Sequence, residues 1–181
     1  MKIGIDLDGV VYDIIGPFDK FIKEKGITPV ETEYNRGLEK EVIRNYFQEM
    51  NKQSPFLWIP TFKYAVEGVN KLAEDNSIFI ITHRDWCENG RVDTLKRLEK
   101  DNVRFDYISF TKKKGEKAAH FGLDYFVEDS IVNARYIKEM SKADVFLIDR
   151  PYNQAEKESR IFRVKDMREV VTSIGSIGNY K

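Results

Sequence analysis

Residues 2–13 read KIGIDLDGVVYD, and this stretch decides the fold. A short apolar run is followed by Asp6 and Asp8, two carboxylates spaced two residues apart, and then by Gly9. Side chains two positions apart on a strand point the same way, and glycine allows the backbone to turn sharply behind them. The stretch therefore predicts a buried strand that ends in two acids at one point, a suitable site for a hard divalent cation and a phosphate.

A calcium loop is the rival interpretation of an Asp-x-Asp-Gly sequence. An EF-hand requires a preceding helix, a glycine at the sixth loop position and a bidentate Glu at the twelfth. This chain has Val11 and Pro17 at those positions, and an apolar strand-like run where the helix would be. The calcium loop is therefore excluded.

Further apolar runs follow along the chain, each short and rich in β-branched and aromatic residues, as buried strands are. They are residues 78–81, 107–110, 125–127 and 145–148. Stretches with the apolar spacing of helices lie between them. Strands that alternate with helices predict a doubly wound, mostly parallel, Rossmann-like α/β sheet that is covered on both faces.

Nearly every predicted strand ends in a polar residue. Ligands of open parallel sheets bind at the carboxyl ends of the strands, so we expect these polar residues to converge there. They are Asp6, Asp8, Thr82, the lysines at 112–114, Glu128 and Asp129. Helix caps and turns also favour Asp, Ser and Thr. This preference could explain any one of these positions, but it is a poor explanation of the whole set.

Residues 14–61 interrupt the alternation of strands and helices, because they are far longer than one crossover helix requires. Their apolar spacing is helical, which predicts a small helical cap inserted after the first strand. The predicted division is an α/β core of residues 1–15 and 62–174, a helical cap of residues 16–61 and a C-terminal tail of residues 175–181. Most cap aromatics are expected to pack in the cap itself, with Phe18 and Trp58 as candidates to stack on a substrate.

Composition narrows the class of protein. The 181 residues carry 30 Lys and Arg against 30 Asp and Glu, so the net charge of zero gives no reason to expect long nucleic acid or a membrane surface as partner. The single cysteine, Cys87, cannot form an internal disulfide, and one thiol is too few for a structural zinc site. No stretch approaches the ~20 apolar residues of a membrane span. We expect a globular, cytoplasmic protein.

The motifs resemble, in order, those of the haloacid dehalogenase superfamily of phosphotransferases. They are residues 6–10 after the first strand, 80–84 after the second, a downstream lysine, and 126–130. The valine after the glycine, the helical insertion and residues 147–153 resemble the 5′(3′)-deoxyribonucleotidase group and its bacterial and phage relatives. The resemblance extends from residue 2 to about residue 171.

This resemblance implies roles for the acidic residues. Asp6 corresponds to the nucleophile that forms an aspartyl-phosphate, and Asp8 to the general acid that later acts as a base. Mg²⁺ would lie between the Asp6 carboxylate, the Asp8 main-chain carbonyl and Asp129. Glu128 departs from the commoner pair of aspartates, and we expect it to act through water or from behind the metal ligands.

The resemblance also implies a set of phosphate and substrate contacts. Thr82 would donate its hydroxyl to a phosphate oxygen, and His83 and Arg84 would lie on the substrate side. Lys114 is the candidate phosphate-binding lysine because it stands ten residues before Asp124, as expected for this group. Lys117 is the second choice.

The implied activity is Mg²⁺-dependent hydrolysis of a small phosphate monoester, most specifically dephosphorylation of a nucleoside monophosphate by a 5′(3′)-(deoxy)ribonucleotidase. Two alternatives keep the chemistry and change the substrate to a sugar or metabolite phosphate, or to a polynucleotide 3′-phosphate. A third, of another class, is a nucleotide-binding regulatory module without turnover. The sequence leaves the base, the sugar, the position of the phosphate and the oligomeric state open, a homodimer included.

Overall fold

The structure is a computed structural model that describes residues 1–33, 35–85, 88–154 and 157–178. Cys87 lies outside the described residues. Helices within these ranges are short, and none is long and apolar enough to cross a membrane.

A parallel sheet forms the centre of the molecule, and its strand order is β3-β2-β1-β4-β5-β6. The strands are β1 (Lys2–Ile5), β2 (Ser77–Thr82), β3 (Tyr107–Phe110), β4 (Tyr125–Glu128), β5 (Asp144–Ile148) and β6 (Ile161–Val164). All five neighbouring pairs are parallel. The doubly wound α/β fold expected from the sequence is confirmed.

Strand β1 lies in the middle of the sheet, between β2 and β4. Its Gly4 is paired with Phe79 on one side and Phe126 on the other. A Cβ atom on Gly4 would lie 2.5 Å from Cδ2 of Phe126, so the close packing of this ring requires glycine. The pairing continues past the strand, since the Asp6 N–H donates to the Val127 carbonyl at 3.0 Å. The carboxyl ends of β1 and β4 are thereby held side by side.

The two faces of the sheet bury two different sets of side chains. Ile80 and Val127 belong to the larger apolar cluster, whereas their neighbours Ile81 and Phe126 belong to the smaller one. This alternation follows from the two-residue period of a strand. Because both faces are covered, the sheet exposes its strand ends rather than its surfaces, and ligands must approach from an edge.

Helices cover the sheet and form the insertion after β1. They are α1 (Ile15–Glu24), α2 (Lys40–Asn51), α3 (Ala65–Leu72), α4 (Gly90–Lys100), α5 (Lys114–Phe121), α6 (Ile131–Met140) and α7 (Met167–Gly178), with short 3₁₀ helices at Pro55–Leu57 and Pro151–Asn153. Helix α7 continues to Gly178, four residues into the segment for which the sequence predicts a tail. Strand β6 was not expected from the sequence, since only its first and last residues are buried.

The insertion between β1 and β2 holds its own aromatic cluster. Phe18 of α1 packs against Tyr46 of α2 with 4.5 Å between ring centroids, and Phe21 contacts the same tyrosine ring at 4.9 Å. Buried Arg36, which follows α1, forms a 2.8 Å ion pair with Asp19. Residues 16–61 thus pack helix against helix, as the apolar spacing predicts, and they follow directly the loop that carries Asp6 and Asp8.

Candidate active site

Three buried carboxylates meet where β1 and β4 end. Asp6 follows β1, Glu128 is the last residue of β4, and Asp129 comes next. One carboxylate oxygen from each lies within 4.8 Å of the others. The Lys114 Nζ, at the start of α5, is 2.7 Å from Oδ2 of Asp6 and 2.7 Å from Oε2 of Glu128. The sheet topology therefore brings Asp6 together with a cation and two acids that lie more than 100 residues further along the chain.

The Glu128 carboxylate is already held by protein donors. Its Oε2 accepts from Lys114, and its Oε1 accepts from the backbone N–H groups of Asp129 (3.2 Å) and Ser130 (3.1 Å) and from Nδ2 of Asn133 (3.3 Å). With both oxygens occupied, Glu128 fixes the turn after β4 and orients Lys114. Unlike Asp6 and Asp129, Glu128 is not among the residues that line the cavity above the cluster.

Asp129 is held by the segment that follows β5. The Tyr152 hydroxyl donates to Oδ2 of Asp129, and Nδ2 of Asn153 donates to the Asp129 main-chain carbonyl at 2.6 Å. On the other side lies Gly9, with a φ of +79° and an ideal Cβ position only 2.0 Å from Oδ2 of Asp129. Glycine is therefore required at position 9 for two reasons: the backbone is left-handed there, and the Asp129 carboxylate lies where a side chain would be.

The charges of the cluster do not balance. Three carboxylates surround one ammonium, so the fully ionised group carries two net negative charges. Burial raises the pKa of Asp6 to about 7 in spite of the opposing Lys114 ammonium. Burial, together with the charges of Glu128 and Asp6, raises the pKa of Asp129 well above its ordinary value. With no cation present, the Asp6 and Asp129 carboxyl groups therefore lose their protons less readily than ordinary carboxyl groups. A hard divalent ion such as Mg²⁺ would favour their ionised form, because it binds carboxylate oxygens.

Lys114 and Glu128 stay ionised in this environment. Burial alone would lower the pKa of Lys114, but the charges of Asp6 and Glu128 outweigh it and raise that pKa. Burial would likewise raise the pKa of Glu128, yet Lys114 and the hydrogen bonds to the carboxylate lower it. The cluster therefore holds a permanent positive charge next to Asp6.

A cavity of about 760 Å³ opens above these groups. The charged part of its lining consists of Asp6, Asp8, Lys112, Lys114 and Asp129. The remaining lining residues are Ile14, Phe47, His83, Ser130, Ile131, Val132, Asn133, Tyr152 and Asn153. The cavity lining thus combines a charged group of side chains with a larger apolar part, as small-molecule sites commonly do.

Thr82 ends β2, next to β1. Its side chain is fully buried, and Oγ1 has no hydrogen-bond partner within the described ranges. A buried hydroxyl normally finds a partner, so Oγ1 has spare hydrogen-bonding capacity, although Thr82 is not among the residues that line the cavity. His83 lines the cavity, and its Nε2 lies 3.4 Å from Asp85. Burial and the nearby Lys112 lower the pKa of His83, which keeps its ring neutral.

Besides Thr82, three other predicted substrate residues do not line the cavity. Phe18 is buried in the aromatic cluster of the insertion. Trp58 is 44% exposed, faces a different groove of the insertion and donates from Nε1 to the Gln53 carbonyl at 3.1 Å. Arg84 is completely buried and contacts Asp8. The structure thus places all three outside this cavity: Phe18 packs in the insertion, Trp58 faces another groove, and Arg84 pairs with Asp8.

The structure also separates the two candidate lysines and adds residues to the site. Lys117 lies one turn after Lys114, and its Nζ is over the Phe121 ring at 5.6 Å, away from the carboxylates. Phe47, Asn133 and Tyr152 line the cavity but were not among the site residues predicted from the sequence. The usable signal for Tyr152 was its position just after a predicted strand, which is where the other site residues lie.

Comparison with solved structures defines the class of fold. The chain matches a haloacid dehalogenase-like hydrolase, SP0104 of Streptococcus pneumoniae, with a TM-score of 0.64 over 96% of this chain and 97% of that one, at 16% identity. It also matches the L-2-haloacid dehalogenase PA0810, with a TM-score of 0.63, 9% identity and coverage of 96% and 98%. The fold is therefore that of haloacid dehalogenase-like hydrolases.

Two curated proteins are similar in sequence over nearly their whole length. "Putative nucleotidase YqfW" of Bacillus subtilis is 25% identical over 179 residues, which cover 94% of this chain and 92% of that protein. "Putative nucleotidase BH1399" of Halalkalibacterium halodurans is 24% identical over 181 residues, with coverage of 93% and 89%. No protein-family model matches the chain. The resemblance to the haloacid dehalogenase superfamily and its nucleotidase-like members is confirmed.

Proposed function

We propose that this protein is a Mg²⁺-dependent phosphomonoester hydrolase that dephosphorylates nucleoside monophosphates, as a 5′(3′)-(deoxy)ribonucleotidase does, through an aspartyl-phosphate on Asp6. One observation carries the proposal: Asp6, Lys114 and Asp129 come from distant parts of the chain and lie together at the charged end of one cavity. A nucleophile, a phosphate-binding cation and a metal ligand are the parts this reaction needs.

The metal site would consist of the Asp6 and Asp129 carboxylates and the main-chain carbonyl of Asp8. Bound there, Mg²⁺ would offset the negative charge of the acids and of the transferring phosphoryl group. Glu128 would keep Lys114 and the turn after β4 in position. Few protein ligands and several waters are the usual surroundings of Mg²⁺.

The chain's own residues would perform two transfers. An oxygen of Asp6 attacks phosphorus, an Asp6–phosphorus bond forms, and the bond from phosphorus to the leaving oxygen breaks as Asp8 gives that oxygen a proton. In the second transfer Asp8 takes a proton from water, the water oxygen attacks phosphorus, and the Asp6 carboxylate is released with its electron pair. Lys114 and the unpaired hydroxyl of Thr82 would hold the phosphoryl oxygens throughout.

The nucleotide as substrate is supported by two further facts. Both curated relatives are named as nucleotidases. The apolar wall of the cavity includes the ring of Phe47, from the insertion that we assign as a cap over the site, together with Ile14 and Val132. An aromatic ring beside an apolar wall suits the flat face of a base.

Phosphate release from a panel of substrates tests the proposal. The panel contains 5′- and 3′-nucleoside monophosphates, with ribose and deoxyribose, as well as sugar phosphates and an aryl phosphate, each with Mg²⁺ and with EDTA. We expect Mg²⁺-dependent release that is fastest with nucleotides. Release from sugar phosphates alone would overturn the substrate, and release from none of the esters would overturn the activity.

Rapid acid quenching tests the intermediate. With a substrate that carries labelled phosphate, the wild-type protein should retain label that hydroxylamine removes, as it does from an acyl phosphate. Asp6→Asn is the matched control, since it keeps the size of the side chain and removes the nucleophile. Label on the Asn variant, or phosphate release by it at the wild-type rate, would contradict the role of Asp6.

A further inference from the structure

The Asp8 carboxylate is held by an arginine that the cavity does not contain. Arg84 Nη2 is 2.6 Å from Oδ1 of Asp8, and Arg84 Nε is 3.2 Å from Oδ1 and 3.1 Å from Oδ2. The arginine side chain is 0% exposed, whereas that of Asp8 is 19% exposed toward the cavity. Arg84 therefore contacts the acid from behind and leaves the other side of the carboxylate open.

Arg84 itself is fixed on every side. Its guanidinium lies over the Tyr12 ring at 4.8 Å and over the Phe56 ring at 4.3 Å. Its Nη1 is 3.5 Å from Oγ1 of Thr94, which donates its own proton to the Gly90 carbonyl. Burying a charge in this way is costly unless it is paired, and a planar guanidinium between two rings has little freedom to rotate.

The two oxygens of Asp8 are not held equally. Oδ1 accepts from Nη2 of Arg84 at 2.6 Å and from Nε at 3.2 Å, whereas Oδ2 accepts from Nε alone, at 3.1 Å. Oδ1 is thus used by the arginine, and Oδ2 keeps the capacity to carry a proton. A carboxylate that hands a proton to a substrate needs a fixed direction, and a displacement of about 1 Å is enough to slow such a step strongly.

We infer that Arg84 is a positioning residue: its fork holds Oδ1 of Asp8, so that Oδ2 is the atom that gives the proton to the leaving oxygen and later takes one from water. The inference rests on the proposed function. In the first transfer the Oδ2–H bond breaks as the proton joins the leaving oxygen, whose bond to phosphorus breaks while the Asp6–phosphorus bond forms. In the second, Oδ2 takes the water proton as the water oxygen joins phosphorus. Arg84 donates no proton in either step.

The dependence of the rate on the leaving group tests this role. Dinitrophenyl phosphate releases a stable phenolate that needs no proton, whereas an alkyl phosphate such as a nucleoside monophosphate releases an alkoxide that does. The value to compare is kcat/KM, since it reports only the steps up to release of the alcohol and is independent of the later hydrolysis of the phospho-enzyme.

We expect Arg84→Met to lower kcat/KM for the best alkyl phosphate of the panel by about tenfold or more, because general acid catalysis as a whole contributes about 100- to 10 000-fold. The value for dinitrophenyl phosphate should change little. Arg84→Lys keeps the charge without the fork, and we expect the same pattern with a smaller loss. Asp8→Asn should show the same preference for the aryl ester.

Arg97→Met is the matched control. Arg97 is buried, lies over the same Tyr12 ring at 5.0 Å and pairs with Asp101 at 2.7 Å instead of with Asp8. Its loss should lower the thermal midpoint without any preference between the two esters. If Arg84→Met does not fold, Arg84→Lys carries the test.

The outcomes separate the two levels of inference. Equal losses on both esters by the folded Arg84 variants, or no loss on either, would overturn the positioning role while the proposed function stands. A wild-type protein that releases phosphate from neither ester would instead overturn the proposed function.

Discussion

The Tyr152 hydroxyl donates a 2.5 Å hydrogen bond to Oδ2 of Asp129. Tyr152 lies in the 3₁₀ helix after β5, and Asp129 follows β4, so the bond joins the ends of two paired strands. Burial raises the pKa of Asp129, and this bond acts against the rise. Tyr152 therefore favours the ionised form of a residue that we propose as a metal ligand, and it fixes the direction of that carboxylate.

Replacing Tyr152 by Phe should weaken Mg²⁺ binding more than it slows turnover. Partners of metal ligands contribute about 10- to 100-fold to metal affinity, so the Mg²⁺ concentration for half-maximal activity should rise by about tenfold. At saturating Mg²⁺, kcat should be close to that of the wild type. Tyr125→Phe, at the opposite end of β4, is the control and should leave both values unchanged. An unaltered Mg²⁺ requirement in Tyr152→Phe would contradict the role of this bond.

Replacing Gly9 by Ala should disrupt the site as well as the fold. The left-handed backbone at φ +79° costs an alanine stability, and the new Cβ would collide with the Asp129 carboxylate. We expect a loss of about 1–3 kcal/mol in the free energy of unfolding, measured with denaturant, together with a loss of Mg²⁺-dependent activity.

Gly26→Ala separates backbone strain from collision. Gly26 has a similar φ of +74°, but an added Cβ meets nothing within 4 Å. This variant should lose stability and keep full activity. Wild-type activity in Gly9→Ala would show that Asp129 can move away from its position without consequence.

The stability of the metal-free protein should depend on pH through Asp6. The pKa of Asp6 is about 7 in the folded protein, against about 3.9 for an ordinary Asp in the unfolded chain. Between these values the folded state binds more protons, so the Asp6 contribution to the free energy of unfolding falls as pH rises and is constant above about pH 7.

Denaturant unfolding in EDTA, compared with Asp6→Asn, isolates this group from Glu128 and the other acids. From about pH 5 to about pH 8, the wild type should lose stability relative to the Asn variant. Mg²⁺ binds the ionised carboxylate and should restore most of the difference at the higher pH. A stability difference that does not vary with pH would exclude a raised pKa for Asp6.

Replacing Phe47 by Ala should raise KM for nucleotides. A base stacked on an aromatic ring gains about 1–3 kcal/mol, so we expect KM to rise by about tenfold for a nucleoside monophosphate. KM for glycerol phosphate, which has no base, should hardly change. Trp58→Ala is the control, because Trp58 faces another groove. If Trp58→Ala raises KM and Phe47→Ala does not, the assignment of the base-facing wall is wrong.

The sheet and the acids at its edge could be predicted from the sequence because each depends on local pattern. Short apolar runs identify buried strands, and a parallel sheet brings the residues after each strand to one edge, which explains Asp6, Asp129 and Lys114. Strand β6 escaped prediction because its sequence, IFRV, has an exposed aromatic and an arginine in the middle. An edge strand with half of its residues in solvent lacks the continuous apolar run of a central one.

Side-chain direction was the part that the sequence could not provide. Arg84 follows a strand in a polar segment, which favours a solvent-facing cation, yet four partners from other parts of the chain hold it in the interior. Phe18 and Phe47 have the same helical spacing, and which of them faces the cavity depends on how α1 and α2 pack. The direction of such side chains depends on how separate helices and strands pack against each other. The spacing of apolar residues along one helix or strand does not reveal it.

The central position of β1 has a consequence for the order of folding. Strand β1 is made before both of its neighbours, β2 and β4, and the later of these ends only at Glu128. Until β4 has been made, β1 is an apolar segment with an unpaired edge, which favours association with other chains. The strand that precedes Asp6 therefore stays incompletely paired until late in synthesis, and a chain truncated before β4 should be found in aggregates.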